Sequence, residues 1–224
     1  MSEPVGRELS LRELILVPSL ITLAVTVLRL VGELNDWSPS LFGKAAGGGG
    51  SLVGIAWLVP VFGLYFGVKL ARAGQGPRGA WRAAGLALLA VLVVVGSGFV
   101  AGGLLKLPQL AMLLLFAVVS FVAVAIAQRG WPALGRVLVG YGLAARVPVT
   151  IVMLVAMLGS WGTHYDVSPP DWPEVGQWNV FAKWLAIGVL PQLTVWIAYT
   201  VVIGILFGAI AAALVGRRDR SAAA

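Results

Sequence analysis

Arg146 carries the strongest claim on chemistry in this chain, because it is the one ionisable residue that the apolar pattern draws inside a membrane span. The apolar run after it, 147–158, is too short to cross a bilayer alone. A crossing takes about 20 residues for roughly 30 Å of hydrocarbon, and stepping that far back from Trp161 reaches Tyr141. Arg146 is therefore expected several ångströms below one membrane surface. An ionisable group at such depth marks a functional site by default. Pro148 strengthens the case, because it lacks an N–H, frees the carbonyl of Ala144 and tends to kink the helix. A kinked helix with a buried cation suits an anionic headgroup or a small anion. The plainer arrangement, favoured on sequence alone, is an arginine whose head snorkels to the headgroups.

His164 is the only histidine, and Asp166 follows it in a stretch stiffened by Pro169, Pro170 and Pro173. A carboxylate beside an imidazole raises its basicity and makes an acid–base pair. No nucleophile accompanies the two, so the stretch is expected to cap the mouth of the bundle, and no catalytic residue is assigned. One histidine and no cysteine leave too few ligands for a metal or for bis-His haem, so neither a metal nor a cofactor is expected. All nine carboxylates fall outside the expected hydrocarbon region or at its edges, where they are poorly placed for intramembrane proton transfer. Arg29 and Glu33, four residues apart at one such edge, read as a snorkelling arginine and a solvated glutamate rather than as a pair.

The elements that must position these residues follow from composition. Apolar residues make up 59% of the 224 and charged residues only 11%, at a mean hydropathy of +0.95, whereas soluble proteins carry about 25% charged residues. The apolar runs do not alternate, which argues against a barrel. The pattern predicts an all-α, polytopic integral membrane bundle of about six transmembrane helices, over 11–31, 52–70, 81–104, 109–127, 137–161 and 192–216. These form one domain over 1–216, followed by a basic tail at 217–224. Ser10 and Glu13 make a capping box at the first helix, which reads as a retained span rather than a cleaved signal. The glycine run 47–50 lacks the order of a phosphate loop and is expected to be a tether. One helix over 178–216 would be about 58 Å long, too long for one crossing. Pro191 is expected to divide it into a short interfacial helix and the sixth span. Pro60 and Pro148 occupy comparable places in the second and fifth spans, as an inverted repeat requires.

Charge orients this topology. Arg7, Arg12, Lys69, Arg72, Arg78, Arg82, Arg129, Arg136, Arg217, Arg218 and Arg220 fall on one side. Arg29, Lys44, Lys106 and Lys183 fall on the other, with Glu33, Asp36, Asp166, Asp171 and Glu174. Basic loops stay in the cytoplasm, so both termini are expected there and the protein in an inner, cytoplasmic-type membrane. Trp37, Trp161, Trp172, Trp178 and Trp184 mark the outer boundary, and Trp81 and Trp131 the inner one. The net charge of +7 is spread through short loops, with no Arg-rich tract, so no nucleic-acid partner is expected.

Gly63 with Gly67, Gly98 with Gly102, and Gly204 with Gly208 repeat at the spacing that lets helix backbones approach. In the last span this stripe runs on to Ala212 and Gly216 and back through Thr200, Trp196, Gln192 and Gly188. That face must look at protein or water. Packing within the bundle is the expected use, with self-association or a membrane partner through the last span as the alternative. The candidate binding residues are Arg146, Gln192 and Thr200, with His164 and Asp166 at the mouth. They support a small channel or permease for a neutral or anionic solute or for lipid. A non-catalytic subunit or assembly partner of a larger complex is the second reading, and an intramembrane enzyme using His164 and Asp166 the third. No kinase, hydrolase, phosphatidyltransferase or transport-ATPase signature is present.

Overall fold

The computed structural model describes residues 10–48 and 51–222, with side chains described as far as Val215. Its helices are α1 (Leu11–Leu34), α2 (Leu58–Arg72), α3 (Ala80–Gly98), α4 (Gln109–Gln128), α5 (Pro132–Gly159), α6 (Val180–Lys183), α7 (Leu190–Leu193) and α8 (Val195–Ala222). No strand occurs among the described residues. Five stretches are long and apolar enough to cross a membrane: Leu11–Leu34, Ala80–Leu104, Gln109–Gln128, Pro132–Gly159 and Val180–Val215. The chain is a multi-pass helical membrane bundle. Arg7, Gly49, Gly50, Gly216 as a packing residue, and the side chains of Arg217, Arg218 and Arg220 lie outside the described residues. The backbone of α8 continues through much of the expected tail.

The second expected span differs from the sequence reading. Residues 51–57 are irregular, and α2 has only 15 residues, about 22 Å at 1.5 Å per residue and shorter than the hydrocarbon layer. Pro60 sits in the first turn of α2, where no N–H is needed. Pro148 instead lies in the interior of α5, which runs on through it. The two prolines are therefore not equivalent, and the proposed repeat loses its support.

The division expected at Pro191 falls elsewhere. From Val180 the chain is helical through α6, a wider π-helical turn over Trp184–Val189, and α7, with the break at Thr194 (φ −116°, ψ −74°). Proline cannot donate to the carbonyl four residues back, Ile187 here, and the π turn accommodates that missing bond.

α8 is the central element, packed against α2, α3, α4 and α5. A Cβ at Gly63 would lie 2.7 Å from the Gly204 carbonyl oxygen, and one at Gly67 would lie 2.6 Å from the Gly208 Cα. These glycines bring α2 and α8 together backbone to backbone, the contact that small residues permit in lipid. Gly98 and Gly102 face the side chains of Phe116 and Met112 on α4 instead. Ala83, Ala84 and Ala87 of α3 and Ala123 and Ala127 of α4 are small residues buried in the same core.

The two ends of the bundle are built differently. At one end Gly130 lies against Ala83, and Trp131 Nε1 donates to the Gln75 carbonyl at 2.8 Å. Trp131 is 1% exposed, so it is a packed structural ring rather than a headgroup anchor. Phe62, Phe66, Leu134, Leu138, Tyr141 and Ile205 fill the interior on this side. At the other end, where Glu33 meets His164 and Gln109 meets Asp171, the interior opens into a cavity.

Candidate functional site

α1 turns a polar stripe toward α5. Thr22, Thr26, Arg29 and Glu33 are spaced four, three and four residues apart, which stacks them on one helical face, and all four are buried. Thr22 Oγ1 shares a 2.8 Å hydrogen bond with the Tyr141 hydroxyl, and the Tyr165 hydroxyl donates to the Thr26 carbonyl at 3.3 Å. Arg29 Nε donates to Glu33 Oε1 at 2.7 Å, while Nη2 reaches the Gly43 carbonyl and Ser51 Oγ at 3.0 and 3.2 Å. The snorkelling arginine and solvated glutamate expected from sequence are thus a buried ion pair. Burying two charges is tolerated only when close geometry and further hydrogen bonds complete them, and Gly43 and Ser51 supply those bonds.

The stretch after α5 delivers His164 to this pair. α5 ends at Ser160, whose left-handed backbone (φ 48°, ψ 55°) turns the chain back over the end of α1. Asp166 braces the turn. Its Oδ2 accepts from the Gly162 N–H at 2.9 Å, and its Oδ1 accepts from the Thr163 N–H and Oγ1 at 2.7 and 2.8 Å. Lys183 Nζ donates to the Asp166 carbonyl at 2.6 Å. Asp166 is therefore occupied by its own loop, and the expected His164–Asp166 acid–base pair is not formed. The partner of His164 is Glu33. Nδ1 lies 2.5 Å from Glu33 Oε1, and the His164 N–H donates to Oε2 at 2.8 Å. Burial pushes the proton affinity of His164 below the ordinary imidazole value, with Arg29 acting in the same direction and the Glu33 hydrogen bond opposing. The neutral ring engages Glu33 through Nδ1 and keeps Nε2 for any further partner. Burial also pushes the Tyr165 phenol well above its usual range.

Arg146 stands midway along α5, about 20 Å along the helix from Gly159. It does not snorkel: the residue is 4% exposed. Nη1 donates to Gln192 Oε1 at 3.3 Å, and the guanidinium lies 4.5 Å from the centre of the Trp196 ring. Nε has no hydrogen-bond partner, and none of the ion pairs among the described residues includes Arg146. Gln192 and Arg146, expected together, do meet. Thr200 does not join them, because its Oγ1 bonds back to the Trp196 carbonyl at 2.8 Å and its methyl faces Gly142.

A cavity of about 540 Å³ unites these groups. Arg29, Arg146, His164, Tyr165 and Gln192 form its polar wall, and Met112, Leu113, Phe116, Met153, Ile187 and Trp196 its apolar wall. Gln109 Nε2 donates to Asp171 Oδ2 at 2.8 Å, tying the start of α4 to the loop before α6. The guanidinium edge carrying Nε is the one that grips a carboxylate, sulfonate or phosphate with parallel hydrogen bonds. Among the described residues no group of three His, Asp or Glu side chains is placed to hold a metal ion.

The Glu33–His164 contact was beyond the reach of sequence reasoning, since it joins residues far apart in the chain. The burial of Glu33 was within reach. Two threonines, an arginine and a glutamate on one helical stripe cannot all face lipid, so that stripe points inward. Fold and site together define a multi-pass membrane protein with an arginine-lined cavity. No known protein family, curated protein or solved structure matches this chain.

Proposed function

We propose that the chain is a small permease-type protein of an inner, cytoplasmic-type membrane, and that it takes an organic anion or an anionic lipid headgroup at Arg146. One observation carries the reading: a guanidinium 4% exposed, outside every ion pair among the described residues, on the wall of a 540 Å³ cavity. A charge held in low dielectric without a counter-charge is costly, and an entering anion supplies what the protein withholds. The apolar wall of Met112, Leu113 and Phe116 suits the hydrocarbon part of such an anion.

Six passes fit this reading. The segment from Gly54, beside Arg29, through α2 to Gln75, beside Trp131, links the same two ends as the longer stretches despite the short helix. An even number of passes puts both termini on one side, and the arginine-rich turns make that side the cytoplasm.

The test uses benzenesulfonate, an organic anion of fixed charge, titrated calorimetrically into the protein in phosphatidylcholine nanodiscs. Saturable binding is expected, weakened roughly tenfold to a hundredfold by Arg146→Gln, the effect of removing a charge-assisted hydrogen-bond pair. Equal affinity in the two proteins overturns the site. A second arm adds phosphatidylglycerol to the nanodiscs. Competition with the sulfonate identifies a headgroup as an occupant, and no competition restricts the site to free anions. Uptake of labelled sulfonate into proteoliposomes, compared with protein-free vesicles, separates transport from binding alone.

A further inference from the structure

We infer that His164 is the proton-binding site of this cavity, and that an anion at Arg146 is bound and carried together with one proton. The inference rests on the reading of Arg146 as the anion site and adds the co-transported species. Geometry places the two groups together: the His164 ring and Arg146 line the same cavity. Glu33 engages His164 through Nδ1 and through the backbone N–H, so Nε2 is the nitrogen left to take a proton.

The charges around His164 explain the coupling. Arg29 and Glu33 face it from α1, Arg146 lines the same cavity from α5, Asp166 and the Tyr165 phenol belong to its own loop, and Lys183 on α6 holds the Asp166 backbone carbonyl. Glu33 is matched by Arg29, and the Asp166 carboxylate accepts from donors of its own loop, with Lys183 on its backbone carbonyl. Arg146 is matched by nothing charged among the described residues. The cavity thus holds one unmatched positive charge, on Arg146, besides the Arg29 charge that already opposes protonation of His164.

An anion on Arg146 cancels that charge. Glu33 is then free to stabilise an imidazolium, and a proton from solution adds to Nε2. Loaded with anion and proton, the cavity carries the same net charge as when empty, and release of both restores the starting state. Linkage makes the effect reciprocal. The factor by which the anion raises the proton affinity of His164 is the factor by which protonation tightens the anion. A mid-membrane carboxylate is unnecessary, because the buried Glu33 at the end of α1 does the work usually assigned to one.

The test again uses benzenesulfonate in phosphatidylcholine nanodiscs, because its own charge is constant between about pH 8 and about pH 5.5, where an imidazole titrates. Wild-type Kd is expected to fall by up to tenfold per pH unit through the acid part of this range. His164→Gln is expected to bind with a Kd constant to within about twofold. Titrations of wild type in buffers of different ionisation enthalpy are expected to show net uptake of protons, approaching one per anion. This second measurement needs no variant and stands whether or not His164→Gln folds. A pH-independent wild-type Kd, no proton uptake, or the same slope in His164→Gln overturns the coupling while leaving the anion site intact. Absence of sulfonate binding at every pH overturns the anion site itself.

Discussion

Arg146 and Arg29 are two buried arginines with opposite energetics, and mutation should separate them. Arg29 is half of an ion pair, so Glu33→Gln leaves a buried guanidinium facing a neutral amide. We expect a loss of about 3–5 kcal/mol in unfolding free energy, the usual result of breaking one side of a buried pair. Arg146 has no such partner. Arg146→Met should hold or raise stability, by an amount on the order of 1–3 kcal/mol, while abolishing sulfonate binding. Thermal melts in one detergent compare the two directly, and a destabilised Arg146→Met contradicts the claim that its charge is uncompensated. His164 adds a pH dependence. Its proton affinity is lower folded than unfolded, so its contribution is complete above about pH 6.5, the unfolded value, and is lost as pH falls toward the folded value. The melting temperature of the anion-free protein should therefore drop over that interval, and drop less in His164→Gln. At this scale Arg146 was legible as an ionisable residue within an apolar helix, but the direction of its head was not, because Gln192 and Trp196 come from other elements, α7 and α8. The alternative that paired Asp166 with His164 fails for a related reason: short-range sequence proximity says little about whether a carboxylate is already taken by its own loop.

Among the elements, α2 and α8 make the most demanding contact. A side chain at Gly67 or Gly208 meets backbone or the packed Leu134, which cannot move aside, whereas one at Gly98 meets the tip of the Phe116 ring. Gly67→Val and Gly208→Val should each cost at least about 1–3 kcal/mol, and Gly98→Ala should cost less than about 1 kcal/mol. Comparable losses at all three positions in a denaturation series would argue against direct backbone contact between α2 and α8. The glycine spacing made this interface visible in the sequence. The start of α2 was not visible, because residues 52–57 are as apolar as a span. Hydropathy reports apolar composition and not helical geometry, and Ile55, Ala56 and Trp57 of this segment line the cavity without forming helix. The same ambiguity hid the break at Thr194, which lies inside an apolar run with Pro191 as the nearer and more obvious breaker.

The whole molecule is a bundle with Trp131 and its neighbours buried toward one end and a cavity lined by Arg29, Arg146 and His164 toward the other. The helical membrane class was plain from composition, since 11% charged residues cannot cover a soluble surface. The short α2 leaves the count of passes as a matter for labelling. Because the chain contains no cysteine, single replacements report sidedness cleanly. A thiol reagent that cannot cross the membrane should reach Ser38→Cys, an exposed position before α2, from outside intact cells and reach Arg78→Cys, just after α2, only after the membrane is opened. Reaction of both from the same side would reverse the assignment of six passes. The central claim concerns where an anion sits, and bromine anomalous diffraction from crystals soaked in 4-bromobenzenesulfonate locates it most directly. The account predicts the sulfonate within hydrogen-bond reach of Arg146 and the bromine against Met112 and Phe116. A bromine peak outside this cavity, with the Arg146 guanidinium still alone beside Gln192 and Trp196, would contradict it.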